Sequence, residues 1–244
     1  MGQTKTTLAT LNLQWCGDPV TAEARDRRAK LAESIQQLGA DTVVLTEYKA
    51  GPSGEALLAL LRQNGFAHFL VPEHMPRHKL GCAVASRWTL TATSPAQKPP
   101  TEPWRVISFM QQGIEVHGMY APATAPAIFD FWNWLLDSAA IWKDRPVLLM
   151  GDFNTGISLI DSATYQFAAH DHFVALQALG FVDLWRRQHS EVRDYTWYSS
   201  AGNGFRLDHA FASPAAASAV AGVWLDHAPR LSGASDHSAV VVAG

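Results

Sequence analysis

The sequence predicts an α/β protein in which two β-sheets pack face to face and helices cover their outer sides. Three observations carry this. Short apolar segments alternate with amphipathic helical ones in both halves of the chain, and the middle is rich in hairpin signals. One segment, Val147-Leu148-Leu149-Met150, is apolar at consecutive positions, as a strand buried on both faces must be. A chain of 244 residues with 48% hydrophobic and 17% charged content can bury a large core as one unit spanning 1–244, and no low-complexity linker or short repeat divides it.

Leu8 to Trp15 reads as the first strand. Asp18-Pro19 then supplies an N-cap and a first-turn proline; Leu31, Ile35 and Leu38 keep helical spacing, and Gly39 stops the helix. Arg25, Arg27, Arg28 and Lys30 on this helix read as a solvated face. Asp41 to Glu47 is a second strand that closes on a carboxylate. Glu55 to Gln63 is helical; Phe66 to Val71, Leu80 to Ser86 and Trp88 to Thr93 are short strands; and Pro95 to Pro103 is a proline-rich loop. Arg105 to Phe109 and Gly113 to Tyr120 form a hairpin pair. Pro126 opens a helix whose apolar set is Ile128, Phe131, Trp132, Leu135 and Ala139. After the Val147 strand, His172 to Leu179 is a helix stopped by Gly180, and Tyr195 to Tyr198, Phe205 to Ala212, Val220 to Leu225 and Ser238 to Val242 are the remaining strands.

Composition narrows the function. A formal charge of −3 means that affinity for a polyanion must come from a local patch, so nucleic-acid binding would be modest and centred on a site. Cys16 and Cys82 lack metal-ligand spacing and read as free buried thiols in a reducing, cytoplasmic setting. No apolar run approaches a membrane span, and nothing implies a protein partner or an oligomer. Nine tryptophans exceed what the core needs, so some are expected to face a ligand.

The chemistry is expected at strand ends. Val147 to Met150 runs into Gly151-Asp152-Phe153-Asn154, which holds a carboxylate and a carboxamide over a cleft, with Gly151 letting the backbone turn and an incoming group come close. Asn12, Glu47, Tyr120, Asp208, Asp236 and His237 occupy comparable positions. Singly, each has an ordinary reading as a cap, a turn residue or a surface acid. Together they are hard oxygen donors suited to Mg²⁺ or Mn²⁺ rather than zinc, with one histidine placed for phosphoryl chemistry. A metal at Glu47 and Asp236 would neutralise phosphate charge. Asp152 would take a proton from water, Asn154 would fix that water or a phosphate oxygen, and Asp208 would keep a histidine partly cationic.

The same residues resemble a known family. Asn12, Leu45-Thr46-Glu47-Tyr48-Lys49, Tyr120-Ala121-Pro122, Gly151-Asp152-Phe153-Asn154, Phe181-Val182-Asp183-Leu184-Trp185, Tyr195-Thr196-Trp197, Arg206-Leu207-Asp208-His209 and Ser235-Asp236-His237 follow the order of the endonuclease/exonuclease/phosphatase superfamily. They are most similar to its exonuclease III-type apurinic/apyrimidinic endonucleases. The resemblance implies a four-layer αββα sandwich and Mg²⁺- or Mn²⁺-dependent hydrolysis of DNA phosphodiesters, at abasic sites, from 3′ ends, or both. It implies Glu47 as the main metal ligand with Asn12 and Asp236 nearby; Asp152, Asn154, Tyr120, Asp208 and His237 as the catalytic set; and Trp197, joined by Phe205, lining a sugar pocket. Two departures stand out: Thr46 replaces the usual Gln, and Leu13-Gln14 follows Asn12 where a second acid or amide is common, so the resemblance does not extend to a second metal site. Arg77, His78, Lys79, Arg105, Arg186 and Arg187 are the candidate backbone contacts. The acidic charge favours, as an alternative, a small or lipid-linked phosphoester as substrate, and a catalytically silent binding module is a third reading.

Overall fold

Strands apolar on both faces need a partner layer on each side, and the chain supplies a sheet on one side and helices on the other. The computed structural model describes residues 6–16, 21–95, 97–100, 102–162, 164 and 166–244. Its strands are β1 (Thr7–Asn12), β2 (Thr42–Lys49), β3 (His68–Leu70), β4 (Leu80–Ser86), β5 (Thr91–Thr93), β6 (Val106–Gln111), β7 (Ile114–Tyr120), β8 (Val147–Asp152), β9 (Val182–Asp183), β10 (Trp197–Tyr198), β11 (Gly204–Phe205), β12 (Asp208–Ala212), β13 (Gly222–Asp226) and β14 (Ala239–Ala243). Its helices are α1 (Ala22–Gln37), α2 (Pro52–Gln63), α3 (Ala127–Trp142), α4 (His170–Ala178), α5 (Leu184–Gln188), α6 (Pro214–Ala217) and α7 (Ala228–Leu231).

The strands form two six-stranded sheets, ordered β13-β14-β1-β2-β4-β3 and β5-β6-β7-β8-β12-β9, with a small β10-β11 ladder beside them. Each sheet is mixed: β1 with β2 and β7 with β8 are parallel, and the other pairs are antiparallel. Val44, Val84 and Val240 of one sheet meet Phe109, Val116 and Met150 of the other. The contact is close: a Cβ on Gly118 would sit 2.6 Å from Val44 Cγ1. Leu31, Ile35, Leu57 and Leu61 from α1 and α2 cover Val43, Leu45 and Val241. Phe131, Trp132, Leu135 and Phe173 from α3 and α4 cover Met119, Leu149 and Phe211. The expected four-layer αββα order is the observed one, and burying each such side chain contributes about 1.5–3 kcal/mol.

Most predicted elements keep their place, and the exceptions have physical causes. The Asp18-Pro19 cap lies outside the described residues; the N-cap observed for α1 is Thr21, whose Oγ1 accepts from Ala24 N at 3.2 Å. The first strand stops at Asn12 rather than Trp15. Gln14, Trp15 and Cys16 all take left-handed backbone, with φ of 46°, 55° and 59°, a conformation costing on the order of 1 kcal/mol per non-glycine residue. The turn is held by Arg27, which donates to Leu13 O, Gln14 O, Gln14 Oε1 and Ala234 O. Arg27 and the buried Arg28 are therefore fasteners, not part of a solvated face. Predicted Phe205 to Ala212 divides into β11 and β12 because Arg206 turns inward and is completely buried. Its guanidinium donates to Asp161 Oδ1 at 2.8 Å and to Asp183 Oδ2 at 2.7 Å, and Arg186 also reaches Asp161 Oδ1 at 2.5 Å. Arg206 holds the Asp183 carboxyl far below the usual range despite burial.

Two stability predictions follow from these buried charges. Arg206→Met leaves Asp161 and Asp183 without their main cation, so urea unfolding should show a loss of about 3–5 kcal/mol. Arg206→Lys should recover little, because the fork of donors is lost. His117 stacks on Trp142 at 4.0 Å between centroids and bonds Ser108 Oγ at 2.7 Å. Burial, with Arg145 nearby, pushes its pKa down to about 3, although Glu115 lies 3.5 Å away. Because the folded value lies below the unfolded one, the contribution is complete above about pH 6.5 and is lost as pH falls towards 3. His117→Gln should therefore flatten the acid-side decline in stability by about 1 kcal/mol per pH unit between about pH 6 and 5, read from urea midpoints at each pH.

Candidate active site

Three adjacent strands of the second sheet set Tyr120, Asp152 and Asp208 in one row. β7 pairs with β8 so that Tyr120 lies opposite Asp152, and β12 pairs with β8 so that Asp208 lies opposite Asp152. Gly151 makes this row possible. It has φ of 148°, and a Cβ there would lie 1.9 Å from Met119 O, so the close approach it permits is that of β7 rather than of an incoming group. Asn154 also takes a positive φ, of 49°; its amide is fixed by Asp152 Oδ1 at 2.9 Å and its Nδ2 donates to Ala121 O at 2.8 Å.

The first sheet supplies the opposite wall. Asn12 ends β1, and its Nδ2 donates to Asp152 Oδ2 at 3.0 Å, so the two sheets meet through a buried bond. Glu47 sits where the β2–β4 register shifts between Leu45 and Tyr48, with φ of 53°, and its Oε1 accepts from Tyr120 OH at 3.2 Å. Ahead of β14, His237 Nδ1 bonds Asp208 Oδ2 at 2.7 Å. Asp236 Oδ2 accepts from Trp197 Nε1 at 3.0 Å. The Trp197 ring centroid is 5.6 Å from Phe205 and 6.4 Å from His237. All ten residues singled out in the sequence thus connect through short contacts into one neighbourhood.

The charges there are strongly coupled. Burial and the adjacent Asp208 carboxylate push Asp152 up to about 7, against the pull of His237. Burial opposes charge on His237, but Asp208, with help from Asp152 and Asp236, outweighs it and lifts the imidazole to about 10. The pair is held as imidazolium and carboxylate, so Nδ1–H donates to Asp208. Burial, Glu47 and Asp152 raise the Tyr120 phenol, which stays protonated. Arg105 lies over its ring, with the guanidinium carbon 4.5 Å from the centroid.

The donor set fits a hard divalent cation. Asp208 Oδ1 is buried without a hydrogen-bond partner among the described residues, and ligand atoms of Asp152, Asp208 and His237 lie within 4.8 Å of one another. Glu47 and Asp236 stand outside that group of three, both half-buried, with Glu47 accepting from Tyr120 and Asp236 from Trp197. Gln14 accepts from Arg27 at 3.1 Å, so its side-chain oxygen is engaged away from such a role.

Sequence reasoning assigned no role to two supports, Thr196 and Ser235, and gave a third, Arg105, a different one as a backbone contact. Thr196 Oγ1 accepts from Leu207 N and Asp208 N at 3.0 and 3.2 Å; Ser235 Oγ accepts from His237 N and donates to Asn12 O; and Arg105 packs on Tyr120. Thr196 and Ser235 stand inside the motifs quoted for the resemblance, which is the one signal that could have found them. Of the candidate backbone contacts, Arg186 and Arg187 are spent on protein oxygens and Lys79 and Arg105 on Glu102, whereas Arg77 and His78 are exposed.

The fold is similar to that of an AP endonuclease from Archaeoglobus fulgidus, at 22% identity and a TM-score of 0.77 over 97% of this chain and 98% of that one. It is similar to a 3′-5′ exonuclease from Neisseria meningitidis, at 24% identity and a TM-score of 0.79 over 97% and 98% of the two chains. A Neisseria 3′ phosphatase bound to a product DNA hairpin matches at 24% identity and a TM-score of 0.76, again over 97% and 98%. The family description Endonuclease/Exonuclease/phosphatase matches residues 9–237, from β1 to the histidine paired with Asp208, and this chain belongs to that family.

Proposed function

We propose that the protein is a Mg²⁺- or Mn²⁺-dependent phosphodiesterase that hydrolyses DNA, as an abasic-site endonuclease, a 3′-5′ exonuclease or both. The observation that carries this is the buried net joining Asn12, Asp152, Asp208 and His237 across two sheets, with Glu47 and Tyr120 beside it. The structural neighbours named as an AP endonuclease, a 3′-5′ exonuclease and a DNA-bound 3′ phosphatase support a reaction on DNA. The chain would act as one catalytic domain and as a monomer, in a reducing cytoplasm where Cys16 and Cys82 stay free.

Glu47 and Asp236 would hold the metal, with Asn12 adding the second lone pair of its Oδ1; a divalent cation bound there supplies positive charge against the phosphate's non-bridging oxygens. Asp152, whose carboxyl burial and Asp208 push upward, accepts the proton of the attacking water, and its bond to Asn12 keeps the accepting oxygen oriented. Asn154, whose backbone N–H and Nδ2 are engaged by Asp152 and Ala121, aligns that water through its Oδ1. His237, kept cationic by Asp208, donates from Nε2 to a phosphate oxygen as negative charge builds up. Tyr120 donates to the same phosphate once its hydroxyl turns from Glu47. Trp197, beside His237 and backed by Phe205, forms one wall for the sugar.

With Mg²⁺, purified protein should cleave an abasic-site duplex or shorten 3′-labelled DNA, and a chelator should stop it. Asp152→Asn and His237→Ala should each lower kcat by about 10²–10⁴-fold, with circular dichroism confirming that the variants remain folded. Hydrolysis of small phosphomonoesters or phosphoinositides with DNA untouched would transfer the assignment to the small-substrate alternative, which the net charge of −3 favours. Metal binding without turnover on any phosphoester would indicate a silent binding module.

A further inference from the structure

Three consecutive non-glycine residues in left-handed backbone are a strained arrangement, and strain persists only where the surroundings impose it. Here the surroundings are extensive. Asn12 Oδ1 accepts from Gln14 N at 2.8 Å, Leu13 N donates to Thr46 O at 2.9 Å, and Arg27 grips the turn's carbonyls, while Cys16 is fully buried beneath it. What the turn displays is Trp15, which remains 44% exposed. Lys49 places its ammonium 5.5 Å from the indole centroid, and Arg77 lies against Gly51, where a Cβ would be 3.5 Å from Arg77 Cδ.

The position of this group follows from the strands that carry it. Trp15 is three residues beyond Asn12, and Lys49 is two beyond Glu47. Three residues of chain reach at most about 10 Å, or about three steps of a stacked nucleic-acid strand. An exposed aromatic plane beside a lysine, this close to a phosphoryl-transfer site, is the pairing that takes an unpaired base on the ring and a phosphate on the ammonium. A small phosphomonoester would touch none of it. The net charge of −3 gives such a local element added weight, because overall charge cannot draw in a polyanion.

We propose that Trp15, held out by the left-handed turn and flanked by Lys49, is a stacking platform for an unpaired nucleobase within a few nucleotides of the scissile phosphate. It thereby selects nucleic-acid strands over small phosphoesters. This rests on the nuclease reading and adds to it a contact on the β1–β2 rim, separate from the Trp197 and Phe205 wall.

The test uses the full chain and a duplex with a single-stranded 3′ tail, followed by fluorescence anisotropy in EDTA so that nothing is cleaved. Trp15→Ala should weaken binding about 5- to 100-fold, and Trp15→Phe should stay within about threefold of the wild type. Lys49→Ala should reduce the slope of log affinity against log salt by about 0.7–0.9. With Mg²⁺, the ratio of kcat/KM on the tailed DNA to that on bis(p-nitrophenyl) phosphate should fall about 5- to 100-fold in Trp15→Ala. Binding by Trp15→Ala equal to wild type, a phenylalanine variant no better than alanine, or equal losses on both substrates would overturn the platform alone. Wild-type protein that neither binds nor cleaves DNA would remove the nuclease reading and this inference together.

Discussion

The site depends on register across three strands. Tyr120, Asp152 and Asp208 share a row because β7 and β12 pair with β8 at one offset each, parallel on one side and antiparallel on the other. A slip of one residue in either pairing would turn its side chain to the other face of the sheet. Two features oppose such a slip. Gly151 leaves no space for another residue against the Met119 carbonyl, and the inner faces of β7 and β8 interlock with Val44 and Cys82 of the other sheet. The packing that stabilises the sandwich is therefore also what aims the carboxylates.

Aiming acids at one another has an electrostatic cost, and the structure offsets it with cations at two depths. Nearest the cleft, His237 lies beside the Asp152–Asp208 pair and is itself lifted to about 10 by them. Deeper in the protein, Arg206 lies two residues before Asp208 in sequence and binds Asp161 and Asp183 with full burial. That second network carries no reacting group. Its effect is to fix the approach to β12 and the 157–161 segment, since Asp161 also accepts from Ile157 N at 2.8 Å. At the rim, the charge of Arg27 acts on both half-buried carboxylates, Glu47 and Asp236, so these two also have a cation near them.

How much of this is legible in the sequence depends on the range of the interaction. β4 is legible to the residue and the β8 core from Val147 to Met150, because their burial writes itself into unbroken apolar runs. The end of β1 is not legible. Leu13-Gln14-Trp15 continues the alternation, and what breaks the strand is an arginine from α1 together with Asn12 capping Gln14. The division of Phe205 to Ala212 is hidden for the same reason: Arg206 finds its partners 45 and 23 positions away. The site residues themselves are readable as polar groups at strand ends, but their pairing is not. Asn12 meets Asp152 across 140 positions, a contact set entirely by how two sheets stack.

The same distinction separates the two aromatic walls. Trp197 is tied to Asp236 and tilted against Phe205 and His237, so its orientation is a product of the site it serves. Trp15 is positioned by a turn that Arg27 and Asn12 hold, through three residues in a conformation that L-amino acids resist. A fold under selection for stability only could relax that turn by placing glycine there, or could bury the indole. Keeping both the strain and the exposure is intelligible if the ring has a partner from outside the chain, and the lysine beside it indicates one carrying negative charge.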